Sequence, residues 1–255
     1  MSSSSAVPAV PAVPAVDRDA RLADAVRGLA GSFSVAALDV SAGTGAAYAT
    51  DDGAAYDTAS IVKVDVLAAL LLRAQDGGRA LTDRERTRAA AMIRRSDNPA
   101  ASALWDTIGG ADGLDAANER FGLTRTRGGD GPLWGLTRTT AADQLVLLRQ
   151  VFGTDDDPVL DADARAYVQR LMAGVEAGQR WGVSAAGGAG PALKNGWLRR
   201  STTGLWVVNS VGRVGVGGKR YLIAVVSAGS ATMDAGIALV EAAARAAVAA
   251  LSDAA

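Results

Sequence analysis

A serine and a lysine stand three positions apart at the start of an apolar segment, SIVKVDVLAALLLRAQDGG, which runs from Ser60 to Gly78. In a helix, positions three apart lie side by side on one face, so the Ser60 hydroxyl and the Lys63 amine would be neighbours. A serine at the positive end of a helix is a candidate nucleophile, and a buried lysine without its proton is a candidate base. The residues alone also allow a plainer interpretation, in which Ser60 caps the helix and the Lys63 ammonium reaches solvent.

Lysine is rare in this chain. Of its 26 basic residues only three are lysines, at positions 63, 194 and 219. Arginine stays protonated at any useful pH, whereas a buried lysine can become neutral and accept a proton. A lysine at an apolar position in a chain that favours arginine therefore indicates a chemical requirement.

The composition excludes several kinds of chemistry. The 255 residues include no histidine and no cysteine, which rules out Ser-His-Asp catalysis, thiol catalysis, disulfides and most zinc sites. A base for hydrolysis must then be a lysine, a carboxylate or a tyrosine. The net charge of −1 gives no indication of a nucleic-acid or anionic-membrane partner, and no segment is long and apolar enough to span a bilayer. We expect no metal, no cofactor, and a monomer that binds a small-molecule or peptide substrate.

Two further short motifs contain groups that could take part in catalysis. Ser96-Asp97-Asn98 lies between two predicted helices, where Ser, Asp and Asn before a proline commonly form an ordinary turn. The second motif, Lys194-Asn195-Gly196, lies on or beside a predicted strand, where Asn-Gly is a strong hairpin signal. Each motif, considered by itself, is explained by its turn chemistry.

The order of the predicted elements indicates an α+β (or α/β) fold of two lobes. A helix over 17–31 and two strands come first, a mainly helical stretch follows, and three β-rich segments and a last helix end the chain. Strands from both ends can form one antiparallel sheet flanked by the N- and C-terminal helices, with a groove between the lobes as a ligand site. We predict a single catalytic domain, 17–255, with a helical lobe of about 60–185 inserted between sheet segments of about 31–59 and 190–255.

The N-terminal residues 1–16 repeat Ala-Val-Pro and are predicted to form a disordered, partly extended spacer. This stretch lacks the basic start and the continuous apolar core of a signal peptide. Two alternatives stay open: a cytoplasmic protein with a flexible tail, or a secreted protein whose signal has been removed.

The three motifs together, in this order, resemble those of class A β-lactamases, whose signature is S-x-x-K, S-D-N and K-T-G. The likeness covers roughly residues 20–252 and extends to four other segments. These are the strand pair SVAALDVSAGTGAAYATDD, the segment LTDRERTRAAAMIRRSDNPAASALWDTIGG, the helix RTTAADQLVLLRQVF and the last helix GSATMDAGIALVEAAARAAVAAL. The resemblance implies the two-lobed β-lactamase fold and a serine hydrolase that works through an acyl-enzyme.

The resemblance also implies catalytic roles for four side chains. Ser60 would be the nucleophile, and Lys63 would accept its proton, with a pKa lowered by burial and by the second lysine nearby. Ser96 would pass a proton to the leaving nitrogen. Lys194 would tune Ser96 and attract a substrate carboxylate.

Other residues would bind the substrate. Asn98 would hold the substrate amide, and Asn195 and Gly196 would line the site. The backbone N–H groups of Ser60 and Trp197 would form an oxyanion hole for the developing negative charge.

The third motif departs from the family at Asn195, where a threonine or serine hydroxyl is expected. An amide is larger than a hydroxyl and directed differently, but it can still donate a hydrogen bond to a carboxylate. We therefore expect altered binding of a substrate carboxylate at this position.

A second departure concerns the omega loop, here the glycine-rich stretch 123–138. In class A enzymes a glutamate of this loop positions the water that releases the acyl group. The chain has four glutamates, none of them in the loop: Glu85, Glu119, Glu176 and Glu241. The loop's only acid is Asp130, either a turn residue beside glycines or a substitute base. Trp134 in the same loop could line the groove or pack in the core. We expect acylation without efficient deacylation unless Asp130 or Lys63 takes over.

Three functions are compatible with this sequence. The first is a serine hydrolase that acts on an amide or ester through an acylated Ser60. The second is a non-catalytic protein that binds a β-lactam or peptide, which the missing glutamate favours and the retained polar groups oppose, because unpaired buried polar groups cost stability. The third is an active β-lactamase with a relocated base.

Overall fold

The structure, a computed structural model, describes residues 17–153, 158–188 and 190–252. The predicted Ala-Val-Pro spacer, residues 1–16, lies outside the described residues. Eight α-helices and seven strands occur in the described part of the chain. The helices are α1 Arg18–Val26, α2 Val62–Asp76, α3 Asp83–Arg94, α4 Asn98–Ile108, α5 Gly110–Phe121, α6 Ala141–Phe152, α7 Ala162–Ala173 and α8 Met233–Leu251. The strands are β1 Ser32–Asp39, β2 Thr44–Ala49, β3 Tyr56–Asp57, β4 Arg138–Thr139, β5 Ala192–Arg199, β6 Trp206–Val216 and β7 Lys219–Ala228.

Five strands from both ends of the chain form one antiparallel sheet in the order β2-β1-β7-β6-β5. Successive side chains of a strand point to opposite faces of a sheet. On β7, Leu222, Ala224 and Val226 accordingly join the core shared with the helical lobe. Tyr221 and Ile223 join a second core on the other face, where α1 and α8 pack. The predicted α+β fold with two lobes is confirmed.

The helix that follows Ser60, α2, is buried on almost all sides. Twelve of its residues are buried, from Val62 to Ala74, so it runs through the middle of the helical lobe. A helix that is apolar around its whole circumference needs such a position, because no face of it favours water. Two of these buried residues have ionisable side chains, Lys63 and Asp65.

The edge strand β5 and the loop ahead of α6 enclose the start of α2. The stretch predicted as an aperiodic loop, 123–138, is closed at its neck by a backbone bridge between Arg127 and Arg138 and contains one turn of 3-10 helix, Trp134–Leu136. Thr126, at the neck, hydrogen bonds through its hydroxyl to Asp143 on α6 at 2.7 Å. The loop is therefore a fixed structure against which α2 begins.

Within the described residues, no helix combines the length and apolarity needed to cross a bilayer. The helices α2 to α7 stand in the chain between the strands β3 and β5. The assignment of 17–255 to one catalytic domain stays a prediction.

Candidate active site

Ser60 lies in a one-turn 3-10 helix, Ala59–Ile61, that leads directly into α2. The residue before it, Ala59, has φ +46°, and only one other non-glycine residue in the described part of the chain has a positive φ, Ser96 at +57°. Left-handed backbone at residues other than glycine costs on the order of 1–3 kcal/mol and tends to occur at functional sites. One strained position directly precedes the first motif, and the other is the first residue of the second motif.

Buried hydrogen bonds hold the chain just before Ser60. The side chain of Asn209, on β6, donates to the carbonyl oxygens of Asp57 and Thr58, both at 2.9 Å. Its own oxygen accepts the backbone N–H of Ser227 on β7 at 2.9 Å. Asn209 is fully buried, and it connects the sheet to the turn that presents the serine. Sequence reasoning missed this residue, although an asparagine within the apolar strand WVVNSVGRV was a usable signal.

The edge strand β5 passes close to the same turn at Gly196. A Cβ atom at this position would lie 2.6 Å from the Ser60 nitrogen, 2.7 Å from the Ile61 nitrogen and 2.8 Å from the Thr58 oxygen. These are backbone atoms that cannot move aside as a side chain could. Gly196 is therefore required for the close approach of β5 to the start of α2.

The amine of Lys63 is fully buried and surrounded by oxygen atoms. Its Nζ donates to the backbone oxygen of Ser96 at 2.7 Å, to the Ser96 hydroxyl at 3.0 Å and to Oδ1 of Asn98 at 2.8 Å. A protonated amine has three N–H groups, and these acceptors use all of them. The ring of Trp134 lies over the same amine, with its centre 4.8 Å from Nζ. The Ser60 hydroxyl is not among the hydrogen-bond partners of Lys63.

A second buried lysine binds the same serine hydroxyl. Lys194, on β5, donates through Nζ to Oγ of Ser96 at 3.0 Å and to the backbone oxygen of Asn195 at 2.7 Å. The Ser96 hydroxyl thus lies between two fully buried amines. The structure brings together residues from α2, the α3–α4 turn and β5 that are far apart in the sequence.

Burial shifts the ionisation of both amines. Removal from water lowers the pKa of Lys63 to about 7, an effect that the carboxylate of Asp97 partly offsets. Burial also lowers the pKa of Lys194 well below its usual range, and the charge of Lys63 lowers it further. Near neutral pH a substantial fraction of Lys63 is therefore uncharged and able to accept a proton.

Asp97 and Asn98 have different tasks in the second motif. Asp97 caps α4 by accepting the backbone N–H of Ala100 at 2.7 Å, as an N-cap residue does. Asn98 is the first residue of α4 and is exposed, and its Nδ2 makes no hydrogen bond to the described residues. The turn predicted from the sequence is present, and it also aims Ser96 and Asn98 at Lys63.

The third motif has its middle side chain on the face of the sheet away from Ser60. Because side chains alternate along a strand, Lys194 and Gly196 face α2 while Asn195 and Trp197 face the opposite side.

Nδ2 of Asn195 donates to the backbone oxygens of Gln179 and Trp181, both at 2.9 Å, and the residue is fully buried. Asn195 was expected to bind substrate through its amide, but both of its donors are occupied elsewhere. The Trp197 ring packs on the ring of Trp181, with 5.7 Å between centres, so only its backbone is available to the site.

Asp130, the candidate substitute base, is exposed in a turn in which its backbone oxygen accepts the Leu133 N–H at 3.0 Å. Its carboxylate makes no hydrogen bond or ion pair with Ser60, Lys63 or Ser96. Among the described residues no carboxylate hydrogen bonds to any of those three side chains, and no group of three or more potential metal ligands occurs. The position of Asp130 fits the turn interpretation of this residue.

Comparison with known proteins identifies the family. The family described as "Beta-lactamase enzyme family" matches residues 86–252, a range that includes Ser96 and Lys194 and begins after Ser60 and Lys63. Because the match covers more than half of the sequence, the chain belongs to this family. A comparison with curated protein sequences gave no match.

Solved structures with the same fold are β-lactamases of low sequence identity. TLA-3 extended-spectrum beta-lactamase is 14% identical with a TM-score of 0.78, over 92% of this chain and 98% of that chain. A class A beta-lactamase from Bacteroides cellulosilyticus is 18% identical with a TM-score of 0.75, over 92% and 96%. A beta lactamase from Burkholderia vietnamiensis is 22% identical with a TM-score of 0.74, over 95% and 99%. Family and fold together support a hydrolase of the β-lactamase type.

Replacing Gly196 by alanine tests how tightly the site is positioned. The new Cβ must displace either β5 or the Ser60 turn, so we expect acylation by a penicillin to slow by at least about 100-fold. The measurement is the rate of adduct formation followed by intact-protein mass. Gly178→Ala is the matched control, because its added Cβ meets nothing within 4 Å. Acylation of the Gly196→Ala variant at the wild-type rate would contradict the argument.

Proposed function

We propose that this protein is a serine hydrolase that cleaves an amide or ester, β-lactams included, through a covalent acyl-Ser60 intermediate. The observation that carries the proposal is the Ser96 hydroxyl held at 3.0 Å from both buried lysine amines, beside the Ser60 turn. Such an arrangement can take a proton from a nucleophile and pass it to a leaving group. The membership of the beta-lactamase enzyme family supports the same reaction class.

In the proposed acylation, neutral Lys63 takes the proton from the Ser60 hydroxyl as Oγ attacks the substrate carbonyl. The start of α2 and the backbone N–H groups of Ser60 and Trp197 stabilise the negative charge that develops on the carbonyl oxygen. The bond to the leaving nitrogen or oxygen then breaks, and Ser96 gives its proton to the leaving group. Lys63 restores the proton of Ser96, and Lys194 stabilises the negative charge on Ser96 during the transfer.

The buried polar groups favour an enzyme over a protein that only binds. Taking an ionised amine out of water costs roughly several kcal/mol in real proteins, even before its partners are counted. Two buried amines around one hydroxyl would be an expensive way to build a ligand pocket, since well-packed apolar residues would stabilise the fold better. The presence of two buried amines is explained if the site must transfer protons between the nucleophile and the leaving group.

The substrate's carboxylate, if it has one, lacks the partner expected in the third motif. Asn195 is committed to the Gln179 and Trp181 carbonyls, and Lys194 is committed to Ser96 and the Asn195 carbonyl. We therefore propose that the natural substrate is bound mainly through its amide or ester group, with Asn98 Nδ2 as a free donor.

A covalent adduct is the direct test of the nucleophile. After mixing with a penicillin, wild-type protein should gain the mass of one intact penicillin, because opening the ring releases no fragment. Ser60→Ala should gain none, while Ser41→Ala, which changes an exposed serine in the β1–β2 turn, should behave as wild type. Intact-protein mass over time measures all three. An adduct on the Ser60→Ala protein would remove Ser60 from the mechanism.

The pH dependence of acylation tests the base. The reactive form of Lys63 is the neutral amine, so the fraction of reactive enzyme increases as pH rises through the Lys63 pKa of about 7. We expect the single-turnover acylation rate to rise through neutral pH and level off above it. Lys63→Arg keeps a positive charge that cannot be lost, so it should not acylate at any of these pH values. A flat profile in the wild type would argue against Lys63 as the base.

The third candidate function, an active β-lactamase with a relocated base, depends on Asp130. Because Asp130 is exposed and its carboxylate hydrogen bonds to none of Ser60, Lys63 and Ser96, we expect Asp130→Asn to release the acyl group at the wild-type rate. The measurement is turnover of a chromogenic cephalosporin together with decay of the acyl adduct. Loss of release with normal acylation in this variant would instead identify Asp130 as the base.

A further inference from the structure

The indole of Trp134 covers the Lys63 amine on a side where it has no oxygen partner. Ser96 and Asn98 supply the three oxygen acceptors of Nζ. The ring centre is 4.8 Å from Nζ, a distance at which an aromatic face attracts a cation and also occupies the space that a water molecule would need. The amine is consequently fully buried, although it belongs to a reactive site.

The Trp134 ring is held in this place from two directions. Its Nε1 donates to the hydroxyl of Ser102, one turn after Asn98 on α4, at 3.1 Å. Behind it, the Thr58 N–H donates to the Thr137 oxygen at 2.8 Å, which attaches the loop to the chain just before Ser60. The ring is thus bonded to α4, and the loop that carries it is attached to the chain just before Ser60.

Release of an acyl group needs a water molecule with a base beside it. The water oxygen forms a bond to the acyl carbon while a base takes one of its protons, and the bond from that carbon to Ser60 Oγ then breaks. The electron pair stays on Oγ, which receives the proton from the base, so one water is consumed and Ser60 is restored. No carboxylate among the described residues hydrogen bonds to Ser60, Lys63 or Ser96, and we take Lys63, the proton acceptor of the acylation step, as the base.

Resting on the acyl-enzyme mechanism above, we propose that Trp134 sets the lifetime of the acyl-enzyme by keeping water away from the Lys63 amine. The ring covers the base that would activate the water, so acylation proceeds while hydrolysis is slow. Trp134 takes no part in breaking the acyl bond. It acts by excluding water from the Lys63 amine. A long-lived adduct is then a property built into the loop and is not only the result of a missing glutamate.

The test is the decay of the penicillin adduct in Trp134→Ala, measured by intact-protein mass after excess penicillin is removed. Opening the space beside Lys63 should speed release by at least about 100-fold, the lower end of what general base catalysis contributes. Release from this variant should also rise as pH passes through neutrality, because the exposed base must be uncharged. Loosening of the loop alone would not produce that pH profile. Only folded, acylated molecules contribute to the measured decay, so partial misfolding of the variant does not affect it.

Two further variants separate the ring from its surroundings. Trp134→Phe keeps an aromatic face and loses the hydrogen bond to Ser102, so its adduct should decay slowly. Leu133→Ala alters the neighbouring side chain of the same loop, which is 51% exposed, and should leave release unchanged. Equal decay in wild type and Trp134→Ala, with adducts on both, would overturn this inference and leave the proposed function standing. Absence of an adduct on every protein, together with no hydrolysed penicillin, would overturn the proposed function and this inference together.

Discussion

The structure around the site depends on two amines that are kept out of water and donate to one hydroxyl. Lys63 and Lys194 repel each other when both are charged, and each is poorly solvated, so the site favours the loss of a proton. The Ser96 hydroxyl, 3.0 Å from each amine, is the atom through which a proton can pass between them. No histidine is present to do this work, and a lysine can replace one only if burial brings its pKa down to the working range.

Burying the two lysine amines requires a rigid surrounding structure. The backbone that surrounds them is strained at two positions. Ala59 and Ser96 adopt left-handed conformations, and close packing at Gly196 and the buried amide of Asn209 hold the chain around them. Strain of this size persists only where the surroundings determine the conformation from several directions. The central apolar helix α2 holds Lys63 in a fixed position, since almost all of the helix surface is packed against other residues.

The sequence was sufficient to predict the two lobes, the helices and the five strands of the main sheet, but not the short strand pair of β3 and β4. Periodicity identified the helices and strands, and the three motifs identified Ser60, Lys63, Ser96 and Lys194 before their distances were known. Sequence reasoning did not predict that the Asn195 side chain faces away from Ser60, although strict alternation from Lys194 on a strand implies it. It could not predict the partners of Asn209, because the carbonyls that this side chain binds are about 150 positions away in the chain. The position of the Trp134 ring could not be predicted from the sequence either, since an aperiodic loop gives no pattern from which to infer contacts.

The sheet and the helical lobe each contribute one of the two amines, and this division has a consequence for folding. Lys194 belongs to a strand at the edge of the sheet, whereas Lys63 belongs to a helix in the middle of the other lobe. The partners of Lys63 all lie in the helical lobe, whereas Lys194 donates from the sheet to Ser96 of the helical lobe. The arrangement of two amines around one hydroxyl therefore requires the sheet and the helical lobe to be in contact. A small separation of the lobes would part Lys194 from Ser96 well before the chain lost its secondary structure.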